Sequence, residues 1–247
     1  MKNLSLSNPD IIRVLKQSLA QFGFNGFCFH LPLENNDLPD VDLPKLREYR
    51  PEVLKRERLV IASDQRAIKV REYYFRLFAD KLDSGLTKKK RSGPNPWEGP
   101  NLKTSSGQQF QQFLQTNDVE TVVNWLVPLP CPWTGMFNLF TTQKKEEIVR
   151  HCRQHEAELH RLLSLHAGYI VSEAINRLNP ITNHGLFSKK ALRVLELIAH
   201  GVSVEEISET ENLSVRGVCY HIDRMKGVLK CHNRSHLIYR ATKLGLI

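Results

Sequence analysis

Apolar residues recur at helical spacing from Asp10 to Phe22, where Ile11, Ile12, Leu15, Leu19 and Phe22 share a face and Gly23 stops the pattern. From Phe24 to Leu31 the pattern alternates as a strand does, with Phe27, Phe29 and Leu31 on one face. A polar, proline-rich connection follows from Pro32 to Pro51. The pattern then predicts a helix over Asp64 to Leu82, carrying Ile68, Val70, Tyr74, Phe75, Leu77 and Phe78. The stretch Thr87 to Pro96, with Lys88, Lys89, Lys90 and Arg91, reads as an exposed basic loop. Two apolar runs, Thr121 to Leu129 and Gly135 to Thr141, read as neighbouring strands around a Pro130-Cys131-Pro132 turn. From Lys144 to Leu178 the pattern is helical for a long distance, with Leu159, Leu162, Leu163, Tyr169, Ile170, Ala174 and Leu178 in a broad stripe. Asn179-Pro180 ends it, because the residue before proline is pushed out of the helical region. This half is thus α+β, sandwich-like in its mixture of strands and helices.

Residues 179–185 have linker composition and divide a domain over 1–178 from one over 186–247. The second domain is patterned as four helices. Ser188 caps a helix with Leu192, Val194, Leu195 and Ile198, closed by Gly201. Ser203 and Glu206 have the spacing of a reciprocal capping box and open a short helix bearing Ile207. A turn through Glu211-Asn212-Leu213 leads to Ser214, which caps a third helix with Val218, Ile222, Met225 and Leu229 inward. After Asn233 a fourth helix carries Leu237, Ile238, Ala241 and Leu244 and ends at Gly245.

A short helix, a tight turn and a second helix form the unit that places one helix in the DNA major groove. The outward positions of the third helix are Arg216, Cys219, Tyr220, Asp223 and Lys226. Ser214 and Arg216, at its amino end, would meet base edges and phosphate, while Lys226, Lys230 and Arg234 would meet phosphates. The net charge of +9 favours such a polyanionic partner, here double-stranded DNA. Five cysteines without paired spacing make a poor disulfide framework and fit a reducing compartment. With no long apolar run and no secretory pattern at Met1-Lys2-Asn3-Leu4, the cytoplasm is the expected location.

The C-terminal residues carry a family resemblance. Phe187-Ser188-Lys189-Lys190, Val194-Leu195, Ala199-His200-Gly201-Val202-Ser203, Glu206-Ile207, Leu213-Ser214, Val218, His221, Asn233-Arg234 and Gly245-Leu246-Ile247 resemble the LuxR-type DNA-binding domain over roughly the last sixty residues. The chain departs from that pattern at Lys190-Ala191, where the family has Arg-Glu, at Gly217 in place of threonine, and at Val228 in place of lysine. The resemblance implies a helix-turn-helix regulator of transcription, acting as a homodimer because one such unit reads few bases. RNA polymerase would be a further partner.

The order of a strand-rich domain, a long helix and this unit is similar to quorum-sensing regulators that bind acyl-homoserine lactones. Tyr74 and Asp83 have the spacing of that family's pocket tyrosine and aspartate, and Trp97 lies near the position of its tryptophan. The similarity implies a ligand pocket in which Asp83 accepts an amide N–H while Tyr74 and Trp97 donate to carbonyls, within a mostly apolar wall. Val70 stands where the family has a second tryptophan and Ser84 where it has proline. The other reading of the domain is a ligand-independent one that binds a partner protein. It predicts a pocket filled by the chain's own aromatic side chains. The stripe from Leu159 to Leu178 can serve the dimer contact or pack within its own domain.

His151 and His155 are four residues apart, yet nothing beside them completes a metal site, so a solvated helix face is expected and no metal or cofactor is. No Gly-rich phosphate loop or nucleophile elbow occurs, and no residue set nominates an enzyme.

Overall fold

The computed structural model describes residues 2–32, 58–78, 93–99 and 101–247, apart from the side chains of Phe75 and Phe78. They divide into two compact units, the first ending at Leu178 and the second running from Asn179 to Ile247.

The first unit is built on a six-stranded sheet of order β1-β3-β2-β6-β5-β4. Its strands are β1 (Lys2–Asn3), β2 (Gly26–His30), β3 (Leu59–Ala62), β4 (Gly93–Pro96), β5 (Thr121–Pro128) and β6 (Thr134–Thr141). All neighbours are antiparallel except β1 and β3. The hairpin expected around Pro130-Cys131-Pro132 is present: β5 and β6 pair from Thr121↔Thr141 to Pro128↔Thr134. Every residue of β2 is buried, so its apparent alternation does not mark a solvent face. The reason is its central place, between β3 and β6 and covered by helices on both sides. Prolines occupy two of the four positions of β4. They are tolerated because β4 is an edge strand. Trp97, in phase with Gly93 and Asn95, donates its N–H to Val122 O at 2.9 Å, which leaves Pro94 and Pro96 turned away from the ladder.

One face of the sheet is covered by α2 (Gln65–Phe78) and α3 (Ser105–Thr116). Ala67, Ile68 and Val70 from α2 and Phe110 and Leu114 from α3 pack there against Cys28, Val60, Ala62, Val122 and Phe140. The helix expected from Asp64 to Leu82 is seen to Phe78, and residues 79–82 lie outside the described residues. The sequence pattern did not reveal α3, because its Gln-rich face dilutes the spacing of Phe110, Phe113 and Leu114. Its cap is nevertheless ordinary, with Thr104 accepting from Gly107 N.

The opposite face carries α1 (Asp10–Gln21), α4 (Lys145–Gln154) and α5 (Glu156–Leu178). The expected single helix from Lys144 to Leu178 is therefore two, broken at His155, whose φ of −112° and ψ of 21° leave the helical region. There the rings of His151 and His155 pack on Phe22, at centroid distances of 6.3 and 5.7 Å. Both histidines are half-buried, so the face expected to be solvated is only partly so. The stripe of α5 is spent largely inside its own unit: Leu159, Leu163, Ala167, Ile170, Val171, Ala174 and Leu178 are buried. Trp125 Nε1 donates to His160 Nδ1 at 3.2 Å, tying α5 to β5. Leu165 and Tyr169 remain exposed.

The second unit is helical, with α6 (Pro180–Asn183), α7 (Lys189–Ala199), α8 (Val204–Thr210), α9 (Val215–Val228) and α10 (Arg234–Lys243). The segment expected to be a linker instead forms α6, and Asn179, Pro180, Ile181 and Asn183 to Phe187 are buried. Asn179 explains this. Its Oδ1 accepts from Ile181 N at 3.0 Å, and its Nδ2 donates to Leu244 O and to Gly245 O. The chain's beginning of this unit is thereby stitched to its end. Val194, Leu195, Ile198, Ile207, Val218, Ile222, Met225, Leu229, Leu237 and Ala241 form the core, one apolar stripe from each of four helices.

Among the described residues, no helix is long and apolar enough to cross a membrane, and no group of three metal-ligating side chains occurs.

Candidate nucleic-acid interface and aromatic cluster

Two caps set the starts of the helices of the helix-turn-helix. Ser203 and Glu206 make the reciprocal capping box at the start of α8, each satisfying the other's backbone N–H. Glu205 and Glu206 lie in the first turn, where the helix dipole favours negative charge. The turn into α9 passes through Asn212, whose φ of 50° is a conformation asparagine tolerates better than most residues. Ser214 then caps α9 by accepting from Gly217 N at 3.0 Å. A side chain at Gly217 would sit 3.3 Å from Ser214 Oγ, so glycine at this departure relieves crowding at the cap.

From this start α9 turns Val218, Ile222, Met225 and Val228 into the core and leaves the rest outward. Ser214, Arg216 and Asp223 are exposed, Tyr220 is 59% exposed, and Cys219 is half-buried. Lys226 is half-buried and forms an ion pair with Asp223 at 2.8 Å. That pair holds the lysine head along the helix surface and partly offsets Asp223, the one acid among the outward positions of α9. Lys230 is exposed just past the helix, at a φ of 50°. Arg234, also exposed, begins α10 beneath its Asn233 cap.

Sequence reasoning missed the cationic neighbours on this unit. His221 is half-buried, and no described group bonds its buried Nδ1. Burial, and then the charges of Arg224 and Lys190, push its pKa below the usual 6.5. Lys189 and Lys190 are exposed in the first turn of α7. Arg193, by contrast, is engaged by Glu196 at 2.8 Å and by Glu211 at 3.2 Å. The signal for the lysines was present in the sequence as Lys189-Lys190 directly after the Ser188 cap.

Residues 186–241 match the family model described as bacterial regulatory proteins, luxR family. This segment is a LuxR-family regulatory domain. The match spans α7, α8 and α9 and most of α10. Among solved structures, the chain is similar to a crystal structure of Escherichia coli SdiA at 16% identity and a TM-score of 0.44, covering 96% of this chain and 91% of that one. SdiA in complex with octanoyl-rac-glycerol is similar at 16% identity and a TM-score of 0.39, over 96% and 88%. No curated protein matches the chain.

In the first unit, the structure brings Tyr74 and Trp97 together. Their rings meet edge-to-face at 5.8 Å, and Phe110 packs edge-on to both at 5.7 Å. Asp83 lies outside the described residues, as do Ser84 and the basic run from Lys88 to Arg91. Val70 is buried in the core cluster beside this aromatic group.

Beside the aromatic group runs a polar row that sequence reasoning did not find. Strand register aligns Cys28, Asn138, Asn124 and Asn95 across four strands on the face covered by α2 and α3. Arg71 of α2, only 8% exposed, donates through Nη1 to Asn138 Oδ1 at 2.7 Å. Asn138 Nδ2 donates in turn to Asn124 Oδ1 at 2.7 Å. Only the register of the strands reveals it.

Proposed function

We propose that this protein is a DNA-binding transcriptional regulator whose α9 enters the major groove. The observation that carries the reading is the outward set on α9 within the matched luxR-family segment. Arg216 and Tyr220, beside the Ser214 cap, suit base edges and phosphate, and Cys219 and Asp223 lie on the same outward surface. Asp223 can accept from a cytosine amino group. Lys226, Lys230 and Arg234 supply phosphate contacts that position without specifying. The regulator works as a cytoplasmic homodimer on paired half-sites, with RNA polymerase as its downstream partner, and carries out no enzymatic reaction.

The first domain, taken as 1–178, is proposed as the sensor for a small molecule of the quorum-sensing kind, an acyl-homoserine lactone or another signal. Tyr74, Trp97 and Asp83 are its proposed contacts. A signal can switch the regulator only by binding one arrangement of the dimer more tightly than the other. The mutual packing of Tyr74, Trp97 and Phe110 favours a second reading, a ligand-independent domain that binds a partner protein.

DNA binding is tested by selecting from a random duplex library and measuring affinity by fluorescence anisotropy at matched salt. Arg216→Ala and Tyr220→Ala should each weaken the selected site by about 1–3 kcal/mol and relax its sequence preference. Lys230→Ala should weaken all sequences alike and reduce the salt slope by about one. Selection that enriches no duplex, or wild-type affinity in both α9 variants, would refute the assignment.

A further inference from the structure

We infer that Val215 is a specificity-determining residue of the DNA interface, its methyl groups packing against the C5 methyl of a thymine in the major groove. This rests on the proposed reading of α9 and adds to it the base that an apolar side chain there selects.

Val215 opens α9, directly after the Ser214 cap and inside the segment that matches the family model. It is 44% exposed, whereas Val218 and Val228 of the same helix are buried in the core. Nothing local asks for a valine at this place. A β-branched side chain loses rotamer freedom in a helix, so on an exposed surface it favours neither the helix nor a core. Its neighbours show what it faces. Residues four apart share a helix surface, so Val215 lies one turn before Cys219, with Arg216 beside it. Cys219 and Arg216 belong to the outward set, while the core stripe runs through Val218, Ile222, Met225 and Val228. The amino end of a recognition helix is also the part that reaches base edges.

Chemistry then selects the base. The valine side chain has no donor and no acceptor, so it makes no hydrogen bond to the ring nitrogens, carbonyls and amino groups of the major groove. Those edges carry one apolar group, the C5 methyl of thymine. Packing the valine methyls on it removes apolar surface of both partners from water. A cytosine in the same place would present its amino group, which the valine would desolvate without replacing the lost hydrogen bond. The contact thus discriminates by attraction and by repulsion together.

The test uses the full chain and the duplex selected from the random library, with each thymine replaced in turn by deoxyuridine. That base pairs as thymine does and lacks only the C5 methyl. Affinities are measured by fluorescence anisotropy at matched salt for wild type, Val215→Ser and Tyr220→Ala, since Tyr220 is the other large exposed side chain of α9. In wild type, deoxyuridine at one thymine should weaken binding about fourfold, as the loss of one buried methyl group does. Val215→Ser should bind the thymine and deoxyuridine duplexes with equal affinity, and should bind the deoxyuridine duplex as tightly as wild type does, which shows that it is folded. Tyr220→Ala should keep the wild-type penalty. A penalty that persists in Val215→Ser, a penalty lost in Tyr220→Ala instead, or no thymine whose methyl matters would overturn the inference and leave the DNA-binding reading standing. A selection that enriches no duplex would overturn both.

Discussion

The second unit should be unusually sensitive to Asn179. This side chain is fully buried and holds three backbone groups: Ile181 N at the start of α6, and Leu244 O and Gly245 O after α10. Replacement by alanine leaves all three buried groups without that partner. At roughly 1 kcal/mol for each net hydrogen bond, the loss comes to about 3 kcal/mol. A small domain has an unfolding free energy of only about 5–15 kcal/mol, so this is a large fraction. The assay is urea denaturation followed by two signals. All three tryptophans, Trp97, Trp125 and Trp133, lie in the first unit, so their fluorescence reports that unit. Far-ultraviolet circular dichroism also reports the five described helices of the second. With a urea slope of about 1 kcal/mol per molar for so short a unit, the dichroism transition of Asn179→Ala should move down by about 2–3 M. The fluorescence midpoint should move far less. A dichroism midpoint within about 0.5 M of wild type would refute the reasoning, because it would mean that the two ends of this unit are not joined through Asn179.

Two further predictions concern titratable groups. His221 is held neutral in the folded state by burial and by the charges of Arg224 and Lys190, with its pKa below the usual 6.5. The unfolded chain therefore takes up the proton first as pH falls, so His221 contributes stability that is complete above 6.5 and is lost below it. Thermal midpoints between pH 5 and 8 should fall more steeply below that value in wild type than in His221→Gln, and equal slopes would count against this. Cys152 is buried, and burial followed by the charge of Glu156 pushes its thiol up to about 12. At pH 8 a thiol reagent should spare Cys152 and the buried Cys28 in native protein while labelling half-exposed Cys219 and Cys231. Mapping by mass spectrometry decides it, and labelling of Cys152 as fast as Cys219 would contradict the burial argument.

What the sequence determined by itself was local. Caps and stripes are written in neighbouring residues, so Ser188, Ser203 with Glu206, Ser214 and Asn233 marked four helix starts where the structure has them. The outward set on α9 followed from 3.6-residue spacing alone, and the paired strands from their apolar runs and turn. Tertiary structure decided what depends on distant partners. A single strand cannot announce that it is central, so the burial of both faces of β2 waited on β3, β6 and the helices. Residues 179–185 read as linker because their polar groups look solvent-directed, until Leu244 and Gly245 supply partners sixty-odd residues away. The Asp223–Lys226 pair, at helical spacing, was legible in principle. The row from Arg71 through Asn138 to Asn124 was not, since three asparagines on three strands share a face only once register is fixed by the packing of the whole sheet.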